Sequence, residues 1–244
     1  MTLEFAAAST ATAHVFVDEL SETVEVTGDD GHHLARVRRV AAGATLTAAD
    51  GSGAWRSYRV VAVSRSGLRL VACAGRLLEP ELTPRLSVAF ALTKRDKPEL
   101  VVQKLTELGV DVILPVTTRR TVLRWDPARA EAAGDRLARV ARGAAMQCRR
   151  ARVPRIGAVA GLSELAGRSD LVVADRAGEQ AGDLVAEGCT SWCLVVGPEG
   201  GLDAEELAML DAAPRLAVGP YVLRAETAAI AGAAALAGCR SPRQ

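Results

Sequence analysis

The chain has 244 residues, 49% of them hydrophobic and 24% charged, a composition that fits one large or two modest globular domains and excludes wholesale disorder. Its formal net charge of +1 hides a partition: residues 31–76 hold eight arginines against Asp50 alone, residues 128–155 hold eight against Glu131 and Asp135, and residues 175–211 hold nine acids against Arg176. Two basic blocks are the footprint of a polyanionic partner, although arginine used simply as the common surface base would give the same counts.

In chain order, short β patterns come first: Val15-Phe16-Val17, Ala44-Thr45-Leu46-Thr47, Trp55 to Val63 and Leu68 to Cys73. Glycine turns at Gly51-Ser52-Gly53 and Ser66-Gly67 separate them, and one helical stretch, Gly31 to Val40, interrupts them. Short strands with frequent turns predict a small β-barrel domain, placed at residues 1–78. Leu77 to Pro84 reads as a linker. Over residues 84–244 strand and helix alternate: strand Leu86 to Ala91, helix Pro98 to Leu108, strand Val112 to Pro115, a long helix from about Pro127 to Arg150, and strands Leu171 to Ala174 and Cys193 to Val196. Such alternation predicts an α/β domain with a mostly parallel sheet covered by helices. The last helix, Glu226 to Gly238, carries small residues at i, i+3 and i+4. That spacing suits close helix packing, within the chain or with a second copy.

No apolar run reaches membrane-spanning length, and Met1-Thr2-Leu3-Glu4-Phe5 lacks the basic start and long apolar core of a signal peptide. Five scattered cysteines fit a reduced compartment, so a cytoplasmic protein with no membrane contact is expected. No His lies near Cys189 and Cys193, and no metal site is expected.

Two glycine-bearing segments carry most of the functional signal. Leu194-Val195-Val196-Gly197-Pro198-Glu199-Gly200-Gly201-Leu202 and Leu216-Ala217-Val218-Gly219-Pro220-Tyr221-Val222-Leu223-Arg224 each read as a buried strand, Gly-Pro, a tight loop and a helix. Loops that replace side chains by glycine let backbone N–H and C=O groups approach a ligand. Two of them can line one pocket at the C-terminal ends of neighbouring strands. Neither matches the triphosphate loop or the dinucleotide fingerprint.

G-P-E-G-G after an apolar strand, then G-P-x-V-L-R-x-E-T-A, resembles the SPOUT methyltransferases, and among them the ribosomal RNA small subunit methyltransferase E family, which methylates N3 of a uridine in 16S rRNA. Lys94-Arg95-Asp96-Lys97 with the block Gln103 to Val110, the stretch Gln147 to Pro154, and His32-His33-Leu34 with Val37-Arg38 are similar to further family blocks, in order. Two positions depart from the pattern: Arg95 stands where the family usually has Gly, and Ala225 where it often has Thr. The resemblance implies a PUA-like β-barrel RNA-binding domain before a SPOUT-type α/β methyltransferase domain, with a deep trefoil knot over about residues 171–238. It implies S-adenosylmethionine as cofactor, held by Val196, Gly197, Glu199, Gly200, Val218, Gly219, Leu223 and Thr227. It also implies 16S rRNA or the small ribosomal subunit as partner, and a homodimer formed near the knot.

The implied reaction sets three demands: an in-line methyl, removal of the uridine N3 proton, and stabilisation of the anion spread over O2 and O4. Arg224 is the candidate for the anion, since a guanidinium offers several donors. Glu226 is the candidate proton acceptor, or else a carboxylate favourable at a helix N-terminus. RNA phosphates are assigned to Arg36, Arg38 and Arg39 in the barrel and to Lys94, Lys97, Arg150 and Arg152. Two rival readings keep the fold: methylation of a ribose 2′-hydroxyl, and RNA binding without catalysis.

Overall fold

A computed structural model describes residues 11–92, 97–121, 126–184 and 189–242. The described residues group into two units, one within Met1–Pro80 and Ala145–Val153, the other within Glu81–Ala144 and Pro154–Gln244.

In the first unit, strands β1 (Ala13–Phe16), β2 (Thr23–Val26), β3 (Thr45–Ala49), β4 (Ala54–Val63), β5 (Leu68–Ala72) and β6 (Leu77–Leu78) form one sheet. Its path runs β1-β3-β4-β5-β2, with β6 on β4; β1 joins β3 in parallel and the other pairs are antiparallel. Leu46 stands opposite Tyr58, and Val60 opposite Leu70, so alternate residues reach one face. Val15, Val24, Leu46, Tyr58, Val60 and Leu70 share a single core. Strands from both ends of the path contribute to it, which rolls the sheet around that core. Each such side chain, fully buried, contributes roughly 1.5–3 kcal/mol. Strand β2 was not expected from the sequence, although its Thr-Val-Glu-Val alternates exposed and buried residues.

The expected helix Gly31 to Val40 begins earlier, as α1 (Gly28–His32), and tightens into a π-helical turn over His33–Val37. Asp29 and Asp30 favour its N-terminal turn, and buried Leu34 pins it to the core. His14 is buried, hydrogen-bonded through Nδ1 to Thr47 Oγ1 at 2.8 Å, and meets Phe16 edge-on. Burial pushes its imidazole down to about 4. Residues Ala145–Val153 return to this unit: Met146 packs on its core, and Val153 N donates to Gly51 O at 2.9 Å.

The second unit holds β7 (Leu82–Thr83), β8 (Arg85–Ala91), β9 (Val112–Thr117), β10 (Arg155–Ile156), β11 (Ala160–Gly161), β12 (Leu171–Glu179), β13 (Ser191–Val196), β14 (Arg215–Leu216) and β15 (Ser241–Pro242). The main sheet is parallel in the order β10-β9-β8-β13-β12-β14, with β11 also on β9. Covered strands read as continuous apolar runs; Ala89, Val116, Leu171, Val173, Cys193 and Val195 share its core. Burial pushes the Cys193 thiol up to about 11, so it acts as a small apolar group.

Helices α2 (Lys97–Glu107), α3 (Pro127–Cys148), α4 (Ala204–Met209) and α5 (Ala225–Ala237) follow the expected alternation. Helix α5 packs on α2, β8 and β13, burying Ala229, Gly232 and Ala233. The small-residue stripe is thus used inside the chain, where it lets α5 lie close to the sheet. Arg240, with no exposed side-chain surface, donates to Pro84 O and Gly109 O and pairs with Asp111, tying the chain beyond α5 to the edge of the unit.

Strand β12 runs past the expected end at Ala174. Ala174 and Glu179 both face Leu216 of β14, so residues 175–178 leave the sheet and return. The excursion passes so close to β14 that a Cβ on Gly178 would lie 2.4 Å from Arg215 C and O. Only glycine fits there.

Candidate active site

The excursion of residues 175–178 from β12 and the loops after β13 and β14 enclose a cleft of about 380 Å³ on one edge of the sheet. Parallel α/β sheets bind ligands at the C-terminal ends of their strands, because the strand ends present unpaired backbone groups and helix N-termini there. Val196, Gly197, Glu199, Val218, Gly219 and Leu223, all expected to hold a cofactor, line the cleft together. No atom lies within 4 Å of where a Cβ on Gly219 would sit, so its backbone is uncovered on that side. The volume and the bare backbone suit a nucleoside-sized ligand held by main-chain groups.

Gly200 and Thr227 are placed differently from that expectation. Gly200 faces Arg120, whose Nη1 donates to its carbonyl at 2.7 Å, and Thr227 is exposed on α5. Neither lines the cleft. Conversely, Asp175, Arg176 and Arg215 line it and were not singled out from the sequence. Asp175 follows directly on the apolar run of β12, and a position just past a parallel strand is the signal that finds it.

The first glycine loop is braced from the strand β9 side. Arg119 N donates to Glu206 Oε1 at 2.8 Å, its guanidinium pairs with Glu205 and Asp203, and Gly201 turns with φ +71°. Asp203 and Glu206 form a reciprocal cap on α4. This Arg119-Arg120 brace was not legible in the sequence, where the pair reads as surface charge.

Arg224 is exposed at the N-cap of α5, immediately before cleft-lining Ala225. Glu226 follows in the first turn with its side chain 12% exposed. Burial acts to raise its carboxyl, but its own backbone N–H and Lys97 outweigh burial and hold it below the usual carboxylate range. Lys97 Nζ stands 3.1 Å from Glu226 Oε1 and 3.3 Å from Glu199 Oε1. Glu226, with Glu199, raises its ammonium above the ordinary lysine value.

In the first unit Arg36, Arg38 and Arg39 are exposed, Arg38 also donating to Thr12 O at 3.0 Å. Arg150 is 9% exposed, and Arg152 directs Nη1 and Nη2 at the carbonyls of Ser52 and Glu79. Both were expected on RNA phosphates; the structure instead builds them into the unit, because the chain segment carrying them packs there. Lys94 lies outside the described residues. Among the described residues no group of three or more His, Cys, Asp and Glu could hold a metal ion, and no helix is long and apolar enough to cross a membrane.

Comparison with known proteins gives the family and the fold. A family model for an RNA methyltransferase domain matches residues 80–237, and one for an RNA methyltransferase PUA domain matches residues 26–73. The chain is 39% identical over 228 residues to the ribosomal RNA small subunit methyltransferase E of Mycobacterium tuberculosis (strain CDC 1551 / Oshkosh), covering 88% of this chain and 87% of the relative. It is 29% identical over 224 residues to the protein of the same name from Bacillus subtilis (strain 168), covering 86% and 88%. Among solved structures it is similar to a ribosomal RNA small subunit methyltransferase E from Neisseria gonorrhoeae bound to S-adenosyl methionine. The TM-score is 0.80 with 25% identity, covering 92% of this chain and 96% of that one.

Proposed function

The chain belongs to the ribosomal RNA small subunit methyltransferase E family, and from that membership we propose that it methylates N3 of a uridine in 16S rRNA with S-adenosylmethionine as donor. The observation that carries the reading is the cleft beside β12, β13 and β14, where two glycine loops expose main chain beside the N-terminus of α5. Gly197, Glu199, Val218, Gly219 and Leu223 would hold the cofactor, with Asp175 and Arg176 on the strand between the two glycine loops. When bound, it supplies an electrophilic sulfonium methyl group. Arg224 stabilises the uridine anion as N3 loses its proton. Glu226, kept ionised, can accept that proton directly or through water, although a carboxylate held below its usual range is a weak base.

Arg36, Arg38 and Arg39 contact RNA phosphates. A cytoplasmic location fits a ribosomal substrate. Homodimerisation is supported by exposed Tyr221, Val222, Leu207 and Met209, apolar groups that a second copy would cover; sedimentation analysis tests it. A trefoil knot over about residues 171–238 is supported by family membership alone, and tracing this segment in experimental density tests it.

The deciding experiment is nucleoside mass spectrometry of small-subunit rRNA from a deletion strain, with in vitro remethylation by the purified chain. Loss and restoration of 3-methyluridine is expected. Loss of a 2′-O-methyl nucleoside instead would move the reaction to ribose, and no change in any nucleoside would leave RNA binding without catalysis.

A further inference from the structure

We infer that Lys97 is a positioning residue of the cofactor cleft: its ammonium clamps the loop after β13 to the start of α5, and so holds the two walls in binding geometry. The inference rests on the cleft being the S-adenosylmethionine site. Lys97 opens α2, and its two partners lie 102 and 129 positions further along the chain. Glu199 belongs to the first glycine loop and lines the cleft; Glu226 adjoins Ala225, which lines it from α5. One cation within 3.1–3.3 Å of both carboxylates therefore spans the two walls.

Glu226 makes the clamp more than a surface pair. Its carboxylate is largely buried, and a buried charge without a partner is costly. Remove the ammonium, and two carboxylates face each other across one site with like charge. The loop bearing Glu199 then moves off, except where Arg120 still holds the Gly200 carbonyl. A cleft that must be closed by its ligand binds that ligand less tightly than one already closed. An ammonium already shared by two carboxylates is also a poor anchor for an RNA phosphate.

The test measures S-adenosylmethionine and S-adenosylhomocysteine affinity by calorimetry, and 16S rRNA fragment affinity by filter retention. Lys97→Met should weaken both cofactor affinities roughly five- to tenfold, as expected for losing one partly buried and one exposed ion-pair arm. Lys97→Arg, whose fork can still reach two carboxylates, should stay within about threefold. Glu226→Gln, the partner outside the cleft lining, should cost about two- to threefold, and adding it to Lys97→Met should cost nothing more, because both act through one contact. RNA affinity should change by less than about twofold in each, since none of these side chains would be a counterion-releasing phosphate contact. Unchanged cofactor affinity in Lys97→Met overturns the inference, as does a fall in RNA affinity alone, which would make Lys97 a phosphate contact. Should Lys97→Met fail to fold by circular dichroism, Glu226→Gln decides by itself, and parental affinity there overturns the clamp. Failure of the parent chain to bind either ligand would overturn the methyltransferase reading itself, whereas failure confined to the variants' expected pattern overturns only the clamp.

Discussion

The two units handle charge in opposite ways. In the first, Arg36, Arg38 and Arg39 stand exposed on and just after a short helical turn, while Arg150 is buried and Arg152 is drawn inward onto backbone carbonyls. In the second, the charges around the cleft are mostly committed to each other: Lys97 to Glu199 and Glu226, and Arg119 to Asp203 and Glu205. A long polyanion needs many accessible cations, each adding a little and each releasing counterions. A small ligand needs a few main-chain groups held still, and paired charges serve as braces for the loops that carry them. Arginine count alone therefore says little about RNA contact; accessibility of the guanidinium separates the two uses.

Five perturbations break or sharpen this contrast, in descending order of effect. Gly178→Ala should damage the second unit alone, by about 3 kcal/mol or more, since the new Cβ would strike Arg215 backbone that cannot step aside. Thermal unfolding with and without S-adenosylmethionine measures it; a stable, cofactor-binding variant would show that β12 and β14 can separate. Arg224→Lys should lower turnover by ~10²-fold or more with cofactor affinity nearly intact, the cost of losing a preorganised forked donor. Raising the pH should partly rescue it, because more uridine is then ionised. Near-parental turnover would take Arg224 out of the mechanism.

Replacing Arg36, Arg38 and Arg39 together by Ala should weaken rRNA binding by roughly fiftyfold at low salt and flatten its salt dependence by about two units of slope. Cofactor affinity should not move, and equal RNA affinity would leave these arginines as solvated surface. His14 gives a pH signature confined to the first unit. Its folded value of about 4 lies below the ordinary 6.5, so the unfolded chain takes up the proton first. The neutral, buried imidazole then stabilises fully above pH 6.5, and that contribution is lost progressively as pH falls from 6.5 through 4. His14→Leu should flatten that part of the denaturation-versus-pH curve; an unchanged slope would assign it to other groups. Gly200→Ala should change cofactor affinity by less than about twofold, because the added methyl only reaches ordinary contact with Arg120 at 3.8 Å. A large loss would return Gly200 to the ligand-contacting set.

Much of this is legible in the sequence. Alternation of strand and helix beyond residue 84 announced a parallel sheet, and the strands β8, β9 and β13 fall on the apolar runs that predicted them. The glycine loops marked most of the cleft because backbone-lined sites leave their trace as missing side chains, which is a local property. Strand β2 went unseen because four residues give only two periods of alternation, too short a signal to stand out from a loop.

What the sequence determined by itself was therefore most of what depends on a residue and its near neighbours: the longer elements, the order of the main units, the glycine loops and the family they belong to. Only the tertiary structure decided which charges meet. From the sequence Lys97 is assigned to an RNA phosphate, yet its partners arrive from 102 and 129 residues away. Arg152 reads as one more cation in a basic run, yet it closes on Ser52, a hundred residues back. Ion pairs and carbonyl contacts of this kind act over a few ångströms, so their membership is fixed by how the sheet orders its strands, and no periodicity along the chain encodes it.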